Sequence, residues 1–405
     1  MSPMREPAFR WFFLSRSVNL VGNTMAPVTL AFAVLSVSAS ATALGVVLAA
    51  RTLPMVAFLL LGGVVADRWG RRLVIQGSSV LSGVSQGVIA LLLLTGHAEL
   101  WALAALSAVN GVVAAAGLPA LNGIVPQLVP REQLQQANAL LSLTRATLMV
   151  LGPGVAAAFV VTIGPGWALA IDALTWLLAA WLLAPVDLPT ATEHGPGMLA
   201  ELREGWDFFH GTTWLWLVVA IFAVLNALAE GGLNTLGPLR ATTTDIGAGG
   251  WGLAMSAQAL GALASTLALM RWRLERPLLL GMVGCAFFGM PMVVLGLWPS
   301  TWPVLAACFI SGVGVQLFSL GWHVAMQEHV PEAMLSRAYS YDQLGSFAAI
   351  PVGQLAMGPL ANAFGLSEVL LAAGVGYVVI ALLPLLSSSV RGLPRIGQAL
   401  SSPPH

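Results

Sequence analysis

Six ionisable residues stand inside long apolar stretches of this 405-residue chain: Arg16, Arg51, Arg145, Asp172, Glu230 and Asp342. A charge at the centre of a bilayer costs about 2.5 to 3.5 kcal/mol on insertion scales, so such a group faces a cavity or a partner. A carboxylate in that position can exchange a proton as its surroundings open and close. Glu230 is therefore the first candidate for proton coupling, followed by Asp172 and Asp342. Each has a plainer reading: Glu230 as a satisfied polar contact near the outer helix ends, Asp172 as a structural partner of Arg51, and Asp342 as a charge favoured at a helix amino terminus. At a rise of about 1.5 Å per residue, Arg51, Asp172 and Glu230 fall in the middle or outer half of the membrane. Arg16, Arg145 and Asp342 fall in the inner half, which predicts two charge clusters.

The elements that must hold these groups follow from composition. Hydrophobic residues make up 58% of the chain and charged residues 8%, against about a quarter charged in soluble domains. The chain reads as an integral membrane protein. Zero formal net charge excludes a strongly basic nucleic-acid binder, so no nucleic-acid partner is expected. Cys285 and Cys308 lie in apolar runs without metal-ligand spacing and read as packing residues. Apolar windows long enough to cross a bilayer run over 9–36, 42–66, 73–95, 100–124, 137–161 and 167–184. Six more follow over 214–237, 250–270, 278–297, 303–326, 338–361 and 369–386. The first has no cleavage site for small residues and reads as a retained span.

The expected fold is an all-α membrane protein of twelve transmembrane helices in two six-helix halves. Residues 1–184 form the first half and 214–387 the second. A cytoplasmic linker over 185–213 contains a short amphipathic helix with Leu199, Leu202, Trp206 and Phe209 on one face. Residues 388–405 form a cytoplasmic tail. Short cytoplasmic loops carry the positive excess, and placing both termini inside puts thirteen arginines there, with Arg240 alone outside. Trp11, Trp101, Trp167, Trp214, Trp251, Trp298 and Trp302, at or near helix ends, fit interfacial anchoring.

An internal repeat supports two halves. Val129-Pro130 to Ala137 and Val330-Pro331 to Ala338 both spell V-P-x-x-x-L-x-x-A. Proline at a helix start has a preset φ and no wasted N–H, so each copy opens a short helix leading into the next span.

One loop carries more than topology. Between the second and third spans, Gly62 to Leu73 reads GGVVADRWGRRL. Asp67 falls at the carboxyl end of its helix, where the macrodipole disfavours negative charge and calls for a partner. Gly63, Asp67, Arg68, Gly70, Arg71 and Arg72 together resemble the signature loop of major facilitator superfamily transporters, with Val65 where leucine is usual. A second stretch, Arg145 followed by Leu151-Gly152-Pro153-Gly154-Val155-Ala156-Ala157, is similar to the fifth-helix motif of antiport-type exporters. It is degraded: Leu148 replaces the first glycine, and Ala156 and Ala157 replace the later pair. Asp172-Ala173-Leu174-Thr175-Trp176 is similar to the sixth helix of the macrolide-efflux and siderophore-export branch.

The resemblance covers Phe9 to about Leu386. It implies a secondary active exporter of small, hydrophobic or amphipathic compounds, working by alternating access and proton antiport in a bacterial cytoplasmic membrane. A siderophore or endogenous metabolite exporter is the alternative, then a nutrient importer or a non-transporting sensor. Asp67 would be a gate residue, and Gly152 and Pro153 a bend. The fourth helix offers Asn110 where many proton-driven relatives carry arginine, and the first has Asn19 and Asn23 but no carboxylate. Asn19, Asn23, Asn110, Asn226, Gln258, Trp322 and His323 are candidates for the substrate cavity, expected near the midplane between halves. Any one of them is more often an interhelical hydrogen bond than a ligand contact. The partners expected are a small-molecule substrate, protons and the lipid bilayer, with the chain as a monomer. No cofactor, metal or enzymatic chemistry is expected, since no phosphate loop, ligand cluster or activated nucleophile is spelled.

Overall fold

A computed structural model describes residues 3–69, 71–121, 124–186, 206–271, 276–387 and 390. Every element among them is helical, as lipid demands: backbone N–H and C=O groups find no water in the bilayer core and must be satisfied within the segment. In the first half the spans are α1 (Pro7–Val37), α2 (Ala41–Trp69), α3 (Arg71–Leu94), α4 (Leu100–Leu121), α5 (Leu134–Ile163) and α6 (Pro165–Leu183). In the second they are α7 (Thr213–Thr242), α8 (Gly247–Leu269), α9 (Leu278–Leu297), α10 (Thr301–His329), α11 (Ala338–Phe364) and α12 (Leu366–Leu386). Eleven of these are long and apolar enough to span a membrane, and the described part of α4 contributes a shorter apolar stretch. The protein has the twelve-helix, two-half architecture expected from its sequence.

Two compact units result. One contains α1 to α6 with Gly247–Ser256 of α8, and the other contains α7, the rest of α8, and α9 to α12. In the first, α2 packs on α4, α3 on α6 and α4, and α1 on α6 and α5. In the second, α9 packs on α10 and α12, and α7 on α11. Apolar clusters close the ends of each unit: Phe9, Phe12, Ile124 and Leu183 in the first, Trp214, Leu215, Met282 and Trp322 in the second.

Glycines at repeating positions make close helix contacts in each half. Gly111 on α4 lies against the Arg51 carbonyl of α2, and Gly312 on α10 lies against the Gln258 carbonyl of α8. Gly152 on α5 abuts Thr24 of α1, and Gly353 on α11 abuts the Ala227 carbonyl of α7. Gly164 and Gly365 make the turns into α6 and α12 with φ of 87° and 98°, a left-handed conformation that glycine adopts without a Cβ clash. The same interval separates Gly111 from Gly312, Pro130 from Pro331, Gly152 from Gly353 and Gly164 from Gly365. Small residues at these positions let helices approach closely enough to pack without side chains between them.

Two expectations for the tryptophans are corrected. Trp302 is 80% and Trp298 69% exposed at helix ends, with Trp101 and Trp167 exposed likewise. Trp214 and Trp251, in contrast, are buried in protein. Trp214 meets Trp322 edge-on at 5.7 Å, so its ring serves the core of its unit and not the interface. In the linker, 206–211 is helical, with Trp206 and Phe209 resting on Tyr341 at centroid distances of 5.6 and 5.7 Å. Leu199 and Leu202 lie outside the described residues.

Candidate functional site

All six helices of the first unit contribute to a cavity of about 460 Å³. Arg16, Asn19 and Asn23 enter it from α1, Arg51 from α2, Asn110 from α4 and Arg145 from α5. One cavity thus takes in arginines expected at both depths. Met55, Val113, Met149 and Trp176 supply apolar wall. The polar floor is partly self-satisfied: Arg16 donates to Asn19 Oδ1 at 3.0 Å, and Asn23 donates to the same oxygen at 2.9 Å. Asn110 donates to Ser85 Oγ at 2.6 Å, an interhelical bond as well as a cavity wall.

Asp172 sits behind this wall with no exposed surface. It attracts Arg51, yet neither carboxylate oxygen has a hydrogen-bond partner, and neither does the indole nitrogen of Trp176 one turn on. The α1–α6 contact explains this isolation. Gly22 faces the carboxylate so closely that a Cβ there would overlap Asp172 Oδ1 and Thr175 Oγ1. Glycine on α1 makes the room that the carboxylate occupies.

The other two acids lie in the second unit with separate partners. In α7 the helix loosens to a π-helical segment over Ala229–Leu236, a feature often found at functional sites. Thr235 Oγ1 donates to the Glu230 carbonyl at 2.8 Å, five residues back. Half-buried Glu230 has the side chains of Asn234 and of Gln354 on α11 as its polar neighbours. The glycine pair Gly231 and Gly353, in backbone contact, brings α7 and α11 near enough for the latter. Asp342 accepts from Trp322 Nε1 at 3.0 Å and Ser346 Oγ at 3.2 Å. His323 is near Asp342 in charge terms and meets Tyr339 Oη at 3.2 Å.

Of the remaining cavity candidates, Asn226 donates to the Ser346 carbonyl at 2.9 Å and Gln258 to Ser311 Oγ at 3.0 Å. Both therefore make helix–helix bonds inside the second unit. In α5, Gly154 N–H donates to Ser256 Oγ at 3.0 Å, next to Pro153, which has no N–H to give to the helical ladder. Cys285 touches Tyr377 Oη at 3.4 Å and Cys308 is buried. No metal-binding group of side chains occurs among the described residues. Of the gate motif, Gly70 and the side chains of Asp67, Arg68 and Arg71 lie outside the described residues, and Gly63 falls in the same stretch, so the partner that Asp67 calls for does too. Arg72 is described and donates to the Ala184 carbonyl.

Sequence reasoning missed the serines of α3. Ser78, Ser79 and Ser82 line the cavity, and Ser79, Ser82 and Ser85 recur every three residues on one helix face. That spacing was a usable signal.

The sequence profile of the Major Facilitator Superfamily matches residues 12–353. The enterobactin exporter EntS of Citrobacter koseri is 26% identical over 384 residues, covering 94% of this chain and 92% of its own. Macrolide efflux protein A of Streptococcus pyogenes is 21% identical over 402 residues, covering 95% and 97%. Among solved structures, the nucleoside transporter NupG superposes with a TM-score of 0.73 at 13% identity, over 94% of this chain and 98% of that one. A bacterial homologue of the human lysosomal transporter Spinster, inward-facing and unoccupied, gives 0.68 at 16%, over 97% and 99%.

Proposed function

The chain belongs to the major facilitator superfamily, and we propose that it works as a secondary active exporter of small amphipathic organic molecules, driven by proton antiport. Its relatives named for enterobactin export and macrolide efflux support the outward direction. The observation that carries the proton is the pairing of Glu230 with Gln354. The Gln354 amide nitrogen suits the carboxylate, while its Oε1 atom has no partner and can accept from the protonated acid. A rotation of the Gln354 amide would thus offer a matching group on α11 to either charge state of Glu230. Asp172, paired with Arg51 at the cavity wall, is the second carrier, and Asp342 the third.

The test is transport in proteoliposomes, with a macrolide and enterobactin as probes. An imposed pH gradient should drive accumulation by the unmodified protein, and Glu230→Gln should abolish the drive while substrate exchange persists. Gradient-driven movement that survives in Glu230→Gln, Asp172→Asn and Asp342→Asn alike removes the coupling assignment. Export of a siderophore or endogenous metabolite is the second reading, favoured by the 26% identity to the enterobactin exporter, and preference for enterobactin over the macrolide would select it.

A further inference from the structure

Charge in the first-unit cavity is unbalanced. Arg16, Arg51 and Arg145 line it, and no carboxylate does among the described lining residues. Arg51 has Asp172 as its counter-charge. Arg16 has none among the described residues: it bonds to a neutral amide, Asn19, and the charge that acts on it is the like charge of Arg145. Two guanidinium groups lining one cavity repel, and Arg16, the more enclosed of the two, is the less solvated. A carboxylate placed between them would remove the repulsion and receive charge-assisted hydrogen bonds from both. The Asn19 oxygen already accepts two bonds and cannot supply that charge.

The rest of the cavity fixes the remainder of the ligand. Met55, Met149 and Trp176 form an apolar wall beside the arginines, and about 460 Å³ falls within the size range of small-molecule sites. The repeat sharpens the point, because Ser346 stands in the register of Arg145, and Ala373 in that of Asp172. The second half keeps the backbone and has none of this charge.

We propose that the cavity of the first unit binds an amphipathic organic anion, its acidic group held between Arg16 and Arg145 and its apolar body against Met55, Met149 and Trp176. This rests on the exporter reading and narrows its substrate class. Arg51 lies in the field of Asp172, so the acidic group is assigned to the two arginines with no carboxylate acting on them.

Matched probes test it. Naphthalene-2-carboxylate, naphthalene-2-carboxamide and 2-naphthylmethylammonium share a ring system and differ in charge. With the full chain in nanodiscs, binding followed by tryptophan quenching should favour the carboxylate over the other two by about tenfold or more. Arg145→Gln and Arg16→Gln should erase that preference and leave carboxamide binding unchanged, and Arg145→Lys should restore part of it. Equal binding of the carboxamide by the unmodified protein overturns the proposal without any variant. Unchanged preference in both arginine variants, purified as monodisperse protein, overturns it as well. Saturable carboxylate binding without gradient-driven movement in proteoliposomes would leave the anion site standing and remove the exporter reading. Gradient-driven movement of the carboxamide or ammonium alone would do the reverse.

Discussion

Gly22 on α1 lies against the carboxylate of Asp172 on α6, with no space for a methyl group between them. Glycine here is what allows a fully buried acid to sit at a helix crossing. Gly22→Ala should therefore lower thermal stability in detergent by about 1–3 kcal/mol through overpacking. Gly77→Ala, where a Cβ meets nothing within 4 Å, is the control and should be neutral or mildly stabilising, because alanine favours helix. Equal melting temperatures for the two variants would contradict the packing.

Asp172 and Arg51 should behave as a coupled pair. Arg51→Met leaves a buried carboxylate without compensation and should cost roughly 3–5 kcal/mol, and Asp172→Leu should likewise strand Arg51. The double variant should be more stable than the sum of the two losses implies. Denaturant titration of the four proteins closes the cycle, and strict additivity would mean that the two charges do not interact.

Asp342 should matter for local stability. Its two oxygens each accept from a donor, Trp322 Nε1 and Ser346 Oγ. Asp342→Asn turns one acceptor into a donor facing a donor and should cost about 1–3 kcal/mol. Ser346→Ala should relieve part of that loss when combined with it. Thermal unfolding of the single and double variants measures both effects.

The two left-handed turns should respond alike. Gly164→Ala and Gly365→Ala each force a Cβ into positive φ, at about 1–2 kcal/mol. The second has an added overlap with the Glu368 carboxylate, so it should lose slightly more. Melting temperatures that fall in only one variant would show that the two turns are not equivalent.

Much of the architecture was legible in the chain because lipid imposes one rule, that apolar helices must be long enough to cross and self-satisfied in hydrogen bonds. The V-P repeat pointed to two halves, and the glycines at positions 111, 152 and 164 recur in the second half at the same interval. The polar groups were identifiable one by one, since charge in an apolar run stands out. What they touch was not. Helix depth placed Arg16 and Arg51 apart, whereas the cavity takes in both. Asn226 and Gln258, candidates for the substrate cavity, bond neighbouring helices, the plainer of the two readings open to them.

The sequence by itself determined the class of protein, its helices, their repeat and the short roster of ionisable groups, because each depends on composition or on spacing along one segment. Tertiary structure alone decided that Arg16 shares a cavity with Arg145 and that Glu230 has Gln354 for a neighbour, and it placed Asp172 within the field of Arg51, the partner that the sequence had offered for it. The physical reason is that these pairs lie on different helices, and their meeting depends on rotation about each helix axis and on glycine contacts such as Gly22 with Asp172 and Gly231 with Gly353. Neither quantity is written in the spacing of any single span.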